Sequence, residues 1–337
     1  MDWSAIARHL AAHGLHMDGP APTRFPGGLA NQNYLIHVNG RPAVLRRPPD
    51  GPLPPGAHDM AREHRILSHL STALPFVPRG LHVCTDPGVI GVAFQLIEYR
   101  PGLVIHAALP DHLAGQPAVA AGLAETMLQT LAAIHAADPA AVGLGDLGRP
   151  DGFLKRAVDG WRRRGLAVEH EPAAPLVDAL GRWLDAHMAP DGPPTLLHND
   201  FKLDNLILRP DLSVAAVVDW DQGTRGDPLF DLGTLLSYWT EAGDPPAMHE
   251  LRQMPTAAPG FPTREQAAMR YAALTGRDLG DVRFHRVLGI LKLGVIFLQL
   301  HALHRRGVTS DPRYAGFGAL AVGLLEFAGD VAAGRRF

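Results

Sequence analysis

Residues 196–221 read LLHNDFKLDNLILRPDLSVAAVVDWD, the most informative stretch of this sequence. An apolar run precedes Asp200, Asn205 follows five positions later, and two short apolar strands lead to Asp219. A hairpin of these strands is expected to bring the carboxamide of Asn205 and the carboxylate of Asp219 together beside Asp200. Mg²⁺ takes hard oxygen ligands and shares phosphate oxygens with its substrate. The stretch therefore predicts a magnesium–triphosphate site in which Asp200 accepts the proton of an attacking hydroxyl.

The composition is that of an ordinary globular protein. The chain has 337 residues, of which 46% are hydrophobic and 19% charged, and this balance argues against disorder. Such a length allows about two domains of ~100–200 residues each. The formal net charge is -3, so no global basic field exists to attract nucleic acid or an anionic membrane.

Targeting and membrane signals are absent from the sequence pattern. The start, MDWSAIARHLAAHG, lacks the continuous apolar region of a signal peptide. The most apolar run, Leu288 to Leu300, is interrupted by Lys292 and falls short of the ~20 residues that cross a bilayer. Cys84 is the single cysteine, so neither a disulfide nor a cysteine-based zinc site is expected. These features predict a cytoplasmic protein without a membrane or nucleic-acid partner.

The N-terminal part of the sequence predicts a small sheet with helices. Asn39-Gly40 lies between two β-rich runs and is a strong signal for a two-residue hairpin. Pro20, Pro22 and the glycines that follow are expected to break the chain after the first helix. The predicted elements are helices at 2–14 and 57–74 and strands at 33–38, 42–46, 81–84 and 89–99.

The rest of the sequence predicts a larger, mainly helical region. Arg100-Pro101-Gly102 ends the strand pattern, and the composition then shifts toward alanine and leucine. We therefore predict two domains, 1–98 and 99–337. The predicted helices lie near 117–138, 152–165, 173–188, 229–240, 263–275, 282–306 and 315–332, with a short β hairpin at 206–208 and 214–219.

The motif D-x-x-x-x-N, followed by an aspartate after a hairpin, resembles that of the protein-kinase-like fold. Two features resemble the aminoglycoside/choline phosphotransferase family. His198 lies two residues before Asp200, and Asp219-Trp220 replaces the D-F-G motif of protein kinases. Asn199 replaces the usual glycine of that family, and asparagine tolerates the left-handed backbone conformation best among non-glycine residues. The segments PGGLANQNY, VLRRPP, AHDMAREHRIL and VIGVAFQLIEYRPG resemble the kinase-like domains fused to acyl-CoA dehydrogenases or free-standing in bacteria.

The resemblance implies a two-lobed α+β fold. Its N-lobe is a small antiparallel sheet with one helix, and its larger C-lobe is mainly helical and carries the catalytic loop and a helical acceptor-binding insertion. The resemblance makes Asp200 the catalytic base and Asn205 and Asp219 the Mg²⁺ ligands. It assigns nucleotide binding to the first loop, an ion pair and the linker between the lobes, through Gly27, Gly28, Asn31, Arg46, Glu63, Gln95, Glu98 and Tyr99.

One departure from the family concerns the basic residue of the third strand. The family usually has lysine there, paired with a helix glutamate, whereas this sequence has Arg46 for the expected partner Glu63. Arginine can form bidentate hydrogen bonds with carboxylate and phosphate oxygens, but it is not interchangeable with lysine.

The predicted reaction is transfer of the γ-phosphoryl group of ATP or GTP to a hydroxyl of a small molecule. The subgroup resemblance suggests a hydroxyacyl-CoA or hydroxy acid as acceptor. Arg156 and Arg162 to Arg164, in the region where the family builds its acceptor site, favour an anionic molecule. An aminoglycoside O-phosphotransferase is the alternative enzyme, and a non-catalytic nucleotide-binding pseudokinase is the alternative of a different class.

Several residues have a structural interpretation beside the functional one. His198 is expected to be buried and to hold the catalytic loop, and Asp227 and Asp231 are expected to brace loops or cap helices. Arg162 to Arg164 also fit a solvated helix face. The histidine pairs His13/His16 and His301/His304 have i,i+3 spacing without a convergent third ligand, so no histidine metal site is predicted.

Overall fold

The structure, a computed structural model, describes residues 1–25, 31–49, 58–309 and 311–337. An N-terminal sheet precedes a larger helical lobe. The strands are β1 (Met17–Arg24), β2 (Gln32–Val38), β3 (Arg41–Arg47), β4 (Gly80–Cys84), β5 (Phe94–Glu98), β6 (Thr195–Leu197), β7 (Leu206–Leu208), β8 (Val214–Val217) and β9 (Thr224–Gly226). The helices are α1 (Trp3–Ala11), α2 (Met60–Leu70), α3 (Pro117–Ala136), α4 (Phe153–Leu166), α5 (Ala174–Ala186), α6 (Pro228–Tyr238), α7 (Pro246–Leu251), α8 (Arg264–Thr275), α9 (Arg283–Arg305) and α10 (Phe317–Ala332).

The main sheet has five antiparallel strands in the order β1-β2-β3-β5-β4. The predicted hairpin between β2 and β3 is confirmed, since Asn39 and Gly40 both have positive φ, at 50° and 71°. This backbone matches the right-handed twist of the two strands. Two small ribbons, β6–β9 and β7–β8, lie in the helical lobe.

β1 is missing from the sequence prediction because its prolines were interpreted as breaks. β1 lies at one edge of the sheet and pairs only with β2 among the described strands. Its pairing shifts between Asp18 and Thr23, where Pro20 and Pro22 lie. Proline is tolerated at an edge or a bulge because the missing N–H breaks no ladder on a second side.

Other element boundaries differ from the prediction. β5 begins at Phe94, since residues 89–93 belong to the turn region that follows Cys84. α2 begins at Met60 and is capped by the Asp59 side chain. β6, β9 and α7 were not predicted, because each has six residues or fewer and shows little periodicity.

The buried side chains form two clusters that do not follow the predicted boundary at residue 98. A small cluster packs α1 against the sheet through Ile6, Leu10 and Phe94. The large cluster fills the helical lobe and also includes Ile66 and Leu67 of α2. α2 therefore contributes to the core of the helical lobe, although it precedes the boundary in sequence.

Three segments are long and apolar enough to cross a membrane by length and composition alone, at 117–136, 283–305 and 312–332. α9 has 23 residues and matches the predicted helix at 282–306 within one residue at each end. In the structure α9 packs against α4, α6 and α10. A Cβ on Gly289 would lie 2.6 Å from the carbonyl oxygen of Gly233, so the glycine lets α9 approach α6 closely.

The segment after β5 is tied to the ribbon that carries the site. Leu103 and Leu208 exchange two backbone hydrogen bonds of 2.8 Å. A Cβ on Gly102 would lie 2.4 Å from the Leu208 carbonyl oxygen, so this approach requires glycine. The linker from the sheet is thereby fixed against β7.

Candidate active site

The turn that carries Asp200 follows β6 and is held by Asp231 of α6. The Asp231 carboxylate accepts hydrogen bonds from the backbone amides of His198, at 2.6 Å, and Asn199, at 2.7 Å. Burial opposes ionisation of Asp231, but its hydrogen bond with His135 and the charges and amide around it outweigh burial and lower the pKa of Asp231. The predicted bracing role of Asp231 is confirmed.

His198 is fully buried and connects this turn to β8. Its Nε2 lies 2.9 Å from the carbonyl oxygen of Val218, and its Nδ1 accepts the Asp200 amide at 3.2 Å. These two partners assign the ring proton to Nε2. The ring packs on Trp220 at a centroid distance of 4.7 Å. The predicted structural role of His198 is therefore confirmed.

Asp200 is positioned by three neighbouring side chains. Its Oδ1 accepts the Tyr238 hydroxyl at 2.5 Å, and its Oδ2 lies 3.3 Å from Asn205 Nδ2 and 3.8 Å from Lys202 Nζ. Burial and the charge of Asp200 raise the pKa of Tyr238, which keeps the phenol as a hydrogen-bond donor. The Asp200 side chain remains 15% exposed, so the fixed carboxylate is still accessible.

Asn205 has its amide oriented by the catalytic turn. Its Nδ2 donates to the Asp200 carbonyl oxygen at 2.8 Å, which leaves Oδ1 as a potential ligand. Its own carbonyl oxygen accepts the Val218 amide at 2.9 Å. The residue that follows Val218 is Asp219, so the hairpin brings Asn205 and Asp219 to the same end of the ribbon, as predicted.

Asp219 projects from a left-handed backbone at φ 68° and is 34% exposed at its side chain. Burial raises the pKa of Asp219 and, despite its contact with Arg46, the carboxylates of Asp221 and Asp200 raise it further. A cluster of carboxylates and an amide oxygen is the donor set that Mg²⁺ prefers. The residues present therefore fit a magnesium ion, and Asn205 and Asp219 are the side chains that would hold it.

Arg46 connects the sheet to α2 and to Asp219. Its Nε lies 2.9 Å from Glu63 Oε2, and its Nη2 contacts Asp219 Oδ1. Burial opposes the charge on Arg46, but Asp219 and Glu63 outweigh it and raise the pKa of Arg46. Glu63 also accepts the Trp220 amide at 3.1 Å. The predicted Arg46–Glu63 pair is present, and it reaches the candidate metal ligand directly.

Gln95 is placed differently from the prediction. It lies inside β5, pairs with Arg46 on one side and Val83 on the other, and is fully buried. Its Nε2 donates to Glu63 Oε2 at 2.6 Å. Because its backbone belongs to the ladder, Gln95 does not lie in the linker, and its side chain supports the ion pair instead.

Glu98 and Tyr99 do lie where β5 passes into the linker. The Glu98 carboxylate accepts the Arg79 amide at 3.1 Å and the Arg100 guanidinium at 3.0 Å. Tyr99 stacks on Phe25 at a centroid distance of 6.3 Å. Their contact with a purine remains a prediction.

The first loop is described only in part. Gly27 and Gly28 lie outside the described residues. Asn31 is buried, and its Nδ2 donates to Asp221 Oδ2 at 3.0 Å. Asp221 was not predicted, although a second carboxylate two residues after Asp219 was a visible signal. Its side chain joins the first loop to the segment that carries Asp219.

A cavity of about 280 Å³ opens beside the catalytic turn. Four cationic side chains and three aromatic ones line it, and no carboxylate does. The lining residues are Arg149, Phe153, Arg156, Ala157, Trp161, Arg164, Asn199, Gln222, Thr224, Phe230 and Lys292. Among the described residues, none of the four cations forms a salt bridge, so this cavity is electrostatically positive.

The predicted basic patch on α4 is only partly at this cavity. Arg156 and Arg164 line it, whereas Arg162 pairs with Asp178 at 2.5 Å and with Asp185 at 3.2 Å on α5. Arg164 stacks over the Trp161 ring at 4.4 Å. Helix periodicity explains the split, because adjacent residues on a helix face different directions.

Lys292 and Tyr238 are site residues that sequence reasoning missed. Lys292 is buried, and its Nζ donates to the Asn199 carbonyl oxygen. Burial is the largest influence on Lys292 and lowers its pKa. A lone lysine in the apolar run of α9 was the available signal, since buried charges are retained mainly where they have a polar partner. The sequence around Tyr238 contains no comparable feature that would have indicated a role at the site.

Asn199 provides a test of the turn that carries Asp200. Its φ is 64°, and its Nδ2 donates to the Gln222 carbonyl oxygen at 2.8 Å. We expect Asn199→Gly to retain kcat within a few-fold, because glycine adopts this conformation freely. Asn199→Ala should lose about 1–2 kcal/mol of unfolding free energy from left-handed strain, and kcat should fall with it. Urea unfolding and steady-state turnover measure both effects.

The control for the two Asn199 variants is Asn39→Ala, because Asn39 also has a positive φ, 50°, in the β2–β3 turn. It should lose stability without losing kcat. If Asn199→Gly proved less active than Asn199→Ala, the turn conformation would not be what the asparagine supplies.

Comparisons with known proteins show what the chain as a whole is similar to. A family model described as the phosphotransferase enzyme family matches residues 21–269. Acyl-CoA dehydrogenase family member 10 of Mus musculus is 31% identical over 323 residues, which are 95% of this chain and 30% of that protein. Acyl-CoA dehydrogenase family member 11 of Gallus gallus is 34% identical over 221 residues, 64% of this chain and 28% of that protein. The chain thus spans less than a third of the length of these relatives.

Solved structures show the same fold. A candidate aminoglycoside phosphotransferase from Ralstonia eutropha aligns over 99% of this chain and 98% of that one, with a TM-score of 0.79 and 26% identity. The aminoglycoside phosphotransferase APH(4)-Ia, in complex with AMP-PNP and hygromycin B, covers 98% of this chain and 99% of that one, with a TM-score of 0.62 and 18% identity. The two-lobed kinase-like fold predicted from the sequence is confirmed.

Proposed function

Because this chain belongs to the phosphotransferase enzyme family, we propose that it transfers the γ-phosphoryl group of ATP or GTP to a hydroxyl of a small anionic molecule. A hydroxy acid or its CoA thioester is the acceptor we favour. The observation that carries the reaction is the fixed Asp200 carboxylate next to the Asn205–Asp219 pair. The proposal of an anionic acceptor rests on the cavity beside Asn199, which is lined by cationic side chains.

In the proposed reaction, the acceptor hydroxyl attacks the γ-phosphorus and its proton passes to Asp200. One O–P bond forms, the β,γ-bridging O–P bond breaks, and the nucleoside diphosphate leaves. Tyr238 and Asn205 hold the Asp200 carboxylate in a single orientation, so that the hydroxyl meets it without reorganisation. Most of the rate should come from such positioning and from electrostatics.

Asn205 and Asp219 would hold Mg²⁺, which when bound neutralises charge on the phosphates. Arg46 provides a second, permanent positive charge at the same place, since it contacts Asp219 while Glu63 fixes its other edge. Glu98 and Tyr99 are proposed to border the purine at the linker. These residues orient the triphosphate between the sheet and the catalytic turn.

The lining of the cavity supports an anionic acceptor. Arg156 donates to the carbonyl oxygens of Arg149 and Asp151, so its charge has no carboxylate to neutralise it among the described residues. Burial, followed by the charge of Arg163, lowers the pKa of Arg164. A carboxylate or phosphate would be bound strongly there through charge-assisted hydrogen bonds.

An aminoglycoside is the competing acceptor, because the structural neighbours include proteins that bear this name. Aminoglycosides are polycations, and a cavity lined by four cations would repel them. A non-catalytic pseudokinase is the competing class, and the presence of Asp200, Asn205 and Asp219 in one site weighs against it. We also propose a cytoplasmic location, in keeping with the single, buried Cys84.

The test is nucleotide consumption with a panel of hydroxy acids, their CoA thioesters and aminoglycosides. We expect turnover with the anionic compounds. Arg156→Gln and Arg164→Gln should each raise KM for the anionic acceptor about 10-fold or more, because each removes a charge-assisted hydrogen bond. The effect on KM for the nucleotide should be small.

Arg163→Gln is the matched control, since Arg163 is exposed on the same helix and does not line the cavity. Its kinetic constants should equal those of the wild type. Turnover with aminoglycosides alone, or an unchanged acceptor KM in both cavity variants, would overturn the proposed acceptor class.

A further inference from the structure

Three histidines meet where α1 passes the edge strand β4. His9 belongs to α1, His13 lies in the turn that follows it, and His82 lies in β4. One ring nitrogen from each lies within 4.8 Å of the others. The i,i+3 histidine pairs of the sequence did not predict this cluster, because its third member comes from a strand about 70 residues away. His9 and His13 are spaced i,i+4, which places both on one face of a helical turn.

The hydrogen bonds of these rings orient one nitrogen of each ring toward the others. His13 Nδ1 lies 2.9 Å from the carbonyl oxygen of His9, so its proton is on Nδ1 and its Nε2 keeps a lone pair. His9 Nε2 and His82 Nε2 share a hydrogen bond of 3.0 Å, so one of these rings would move its proton to Nδ1 when both nitrogens bind a metal ion. Metal-bound histidines characteristically donate their other ring N–H to a carbonyl or similar acceptor. His13 already has that arrangement.

The surroundings also disfavour a positive charge on the rings of His82 and His9. Burial, followed by the charges of His13, His9 and His64, lowers the pKa of His82 to about 4. Burial and His13 lower the pKa of His9 as well. Neutral imidazole is the form that binds metal.

We propose that His9, His13 and His82 form a binding site for a divalent transition-metal ion such as Zn²⁺. Zn–N bonds of about 2.0–2.1 Å in a tetrahedral arrangement place ligand nitrogens roughly 3.3 Å apart. The His9–His82 separation of 3.0 Å is already close to this value. His13 is exposed, so its ring can adjust to complete the set. Water would occupy the fourth position.

Cys84 does not belong to the ligand set. Its Sγ lies 4.0 Å from His9 Nδ1, the nitrogen on the opposite side of the ring from His82. Burial raises the pKa of the Cys84 thiol, which disfavours the thiolate that a metal needs. The site is therefore an all-imidazole one, suited to Zn²⁺, Ni²⁺ or Cu²⁺ rather than to Mg²⁺.

A metal ion bound by these histidines would connect α1 to the five-stranded sheet. β4 is an edge strand, and its partner β5 continues into the linker. His9 also packs edge-on against Phe94 of β5, at a centroid distance of 5.6 Å. A bound ion would link α1 to β4 and stabilise the N-terminal sheet, independently of the proposed phosphoryl transfer.

The experiment is calorimetric titration of the full chain with Zn²⁺ in excess Mg²⁺, which occupies the oxygen-rich site. We expect one Zn²⁺ per chain and a rise in Tm on binding. Titration with Co²⁺ should give the visible d–d absorption of a tetrahedral complex. His82→Gln should weaken Zn²⁺ binding roughly 100-fold or more and abolish the Tm rise, because a third of the protein ligands is gone.

His16→Gln is the matched control, since His16 is exposed and lies outside the cluster. It should bind as the wild type does. His13→Gln is a second variant, chosen because its exposed side chain carries little of the core, and it should also lose the site. Wild-type affinity in a folded His82→Gln or His13→Gln chain, or no binding of stoichiometric Zn²⁺ by the wild type, would overturn the proposal.

Discussion

The Asp200→Asn variant is expected to consume nucleotide, with Mg²⁺ and acceptor present, at least about 100-fold more slowly than the wild type. Asparagine keeps the size of the side chain and can still accept the Tyr238 hydroxyl, which donates to Asp200 at 2.5 Å in the structure. It cannot accept a proton from the attacking hydroxyl. The loss should therefore appear in kcat, with a small change in KM for the nucleotide.

Asp211→Asn is the control for this variant. Asp211 is an exposed carboxylate in the turn between β7 and β8, where it accepts the Ser213 amide at 3.0 Å. Its kcat should match that of the wild type. Equal rates for the wild type and Asp200→Asn would remove the assignment of Asp200 as the base, whereas no turnover by the wild type would favour the pseudokinase alternative.

The second large effect is expected at Arg46, as a loss of both stability and activity. Arg46→Met leaves the Glu63 carboxylate buried without its cation, since the two side chains are only 7% and 1% exposed. Breaking a buried pair from one side costs about 3–5 kcal/mol of unfolding free energy. Activity should fall as well, because Asp219 loses the contact that positions it. Arg46→Lys should retain part of both.

A double variant separates the two effects. Arg46→Met combined with Glu63→Met removes both buried charges, so it should recover part of the stability that Arg46→Met loses. It should not recover kcat, because the cation beside Asp219 is still absent. Denaturant unfolding and steady-state kinetics on the same preparations measure this difference.

The exposed Arg65–Asp146 pair provides a matched control on the same helix as Glu63. Its side chains are 40% and 76% exposed, so Arg65→Met should cost no more than about 1 kcal/mol. A similar cost for Arg46→Met would contradict the role given to the buried pair. Recovery of kcat in the double variant would contradict the role of Arg46 at Asp219.

Much of the fold could be predicted because its signals are local. Asn39-Gly40 predicted a hairpin from the backbone preferences of two residues, and the long helices followed from their apolar periodicity. The order of Asp200, Asn205 and Asp219 along the chain was sufficient for the kinase-like resemblance, which the family match over residues 21–269 confirms. β1 was missed because the effect of a proline depends on whether its strand lies at an edge, and edge position is not a local property.

For the site as well, some features follow from the local sequence and others from the tertiary structure. The sequence by itself determined the turn and the hairpin, because Asp200, Asn205 and Asp219 lie within 20 residues of one another and a short hairpin must bring them together. Only the tertiary structure decided the partners that come from distant segments. Tyr238 orients Asp200 at 2.5 Å, Gln95 supports Glu63 at 2.6 Å, and His82 approaches His9 at 3.0 Å. The physical reason is that these contacts depend on how helices and strands pack, and packing is set by the whole core rather than by any spacing along the chain.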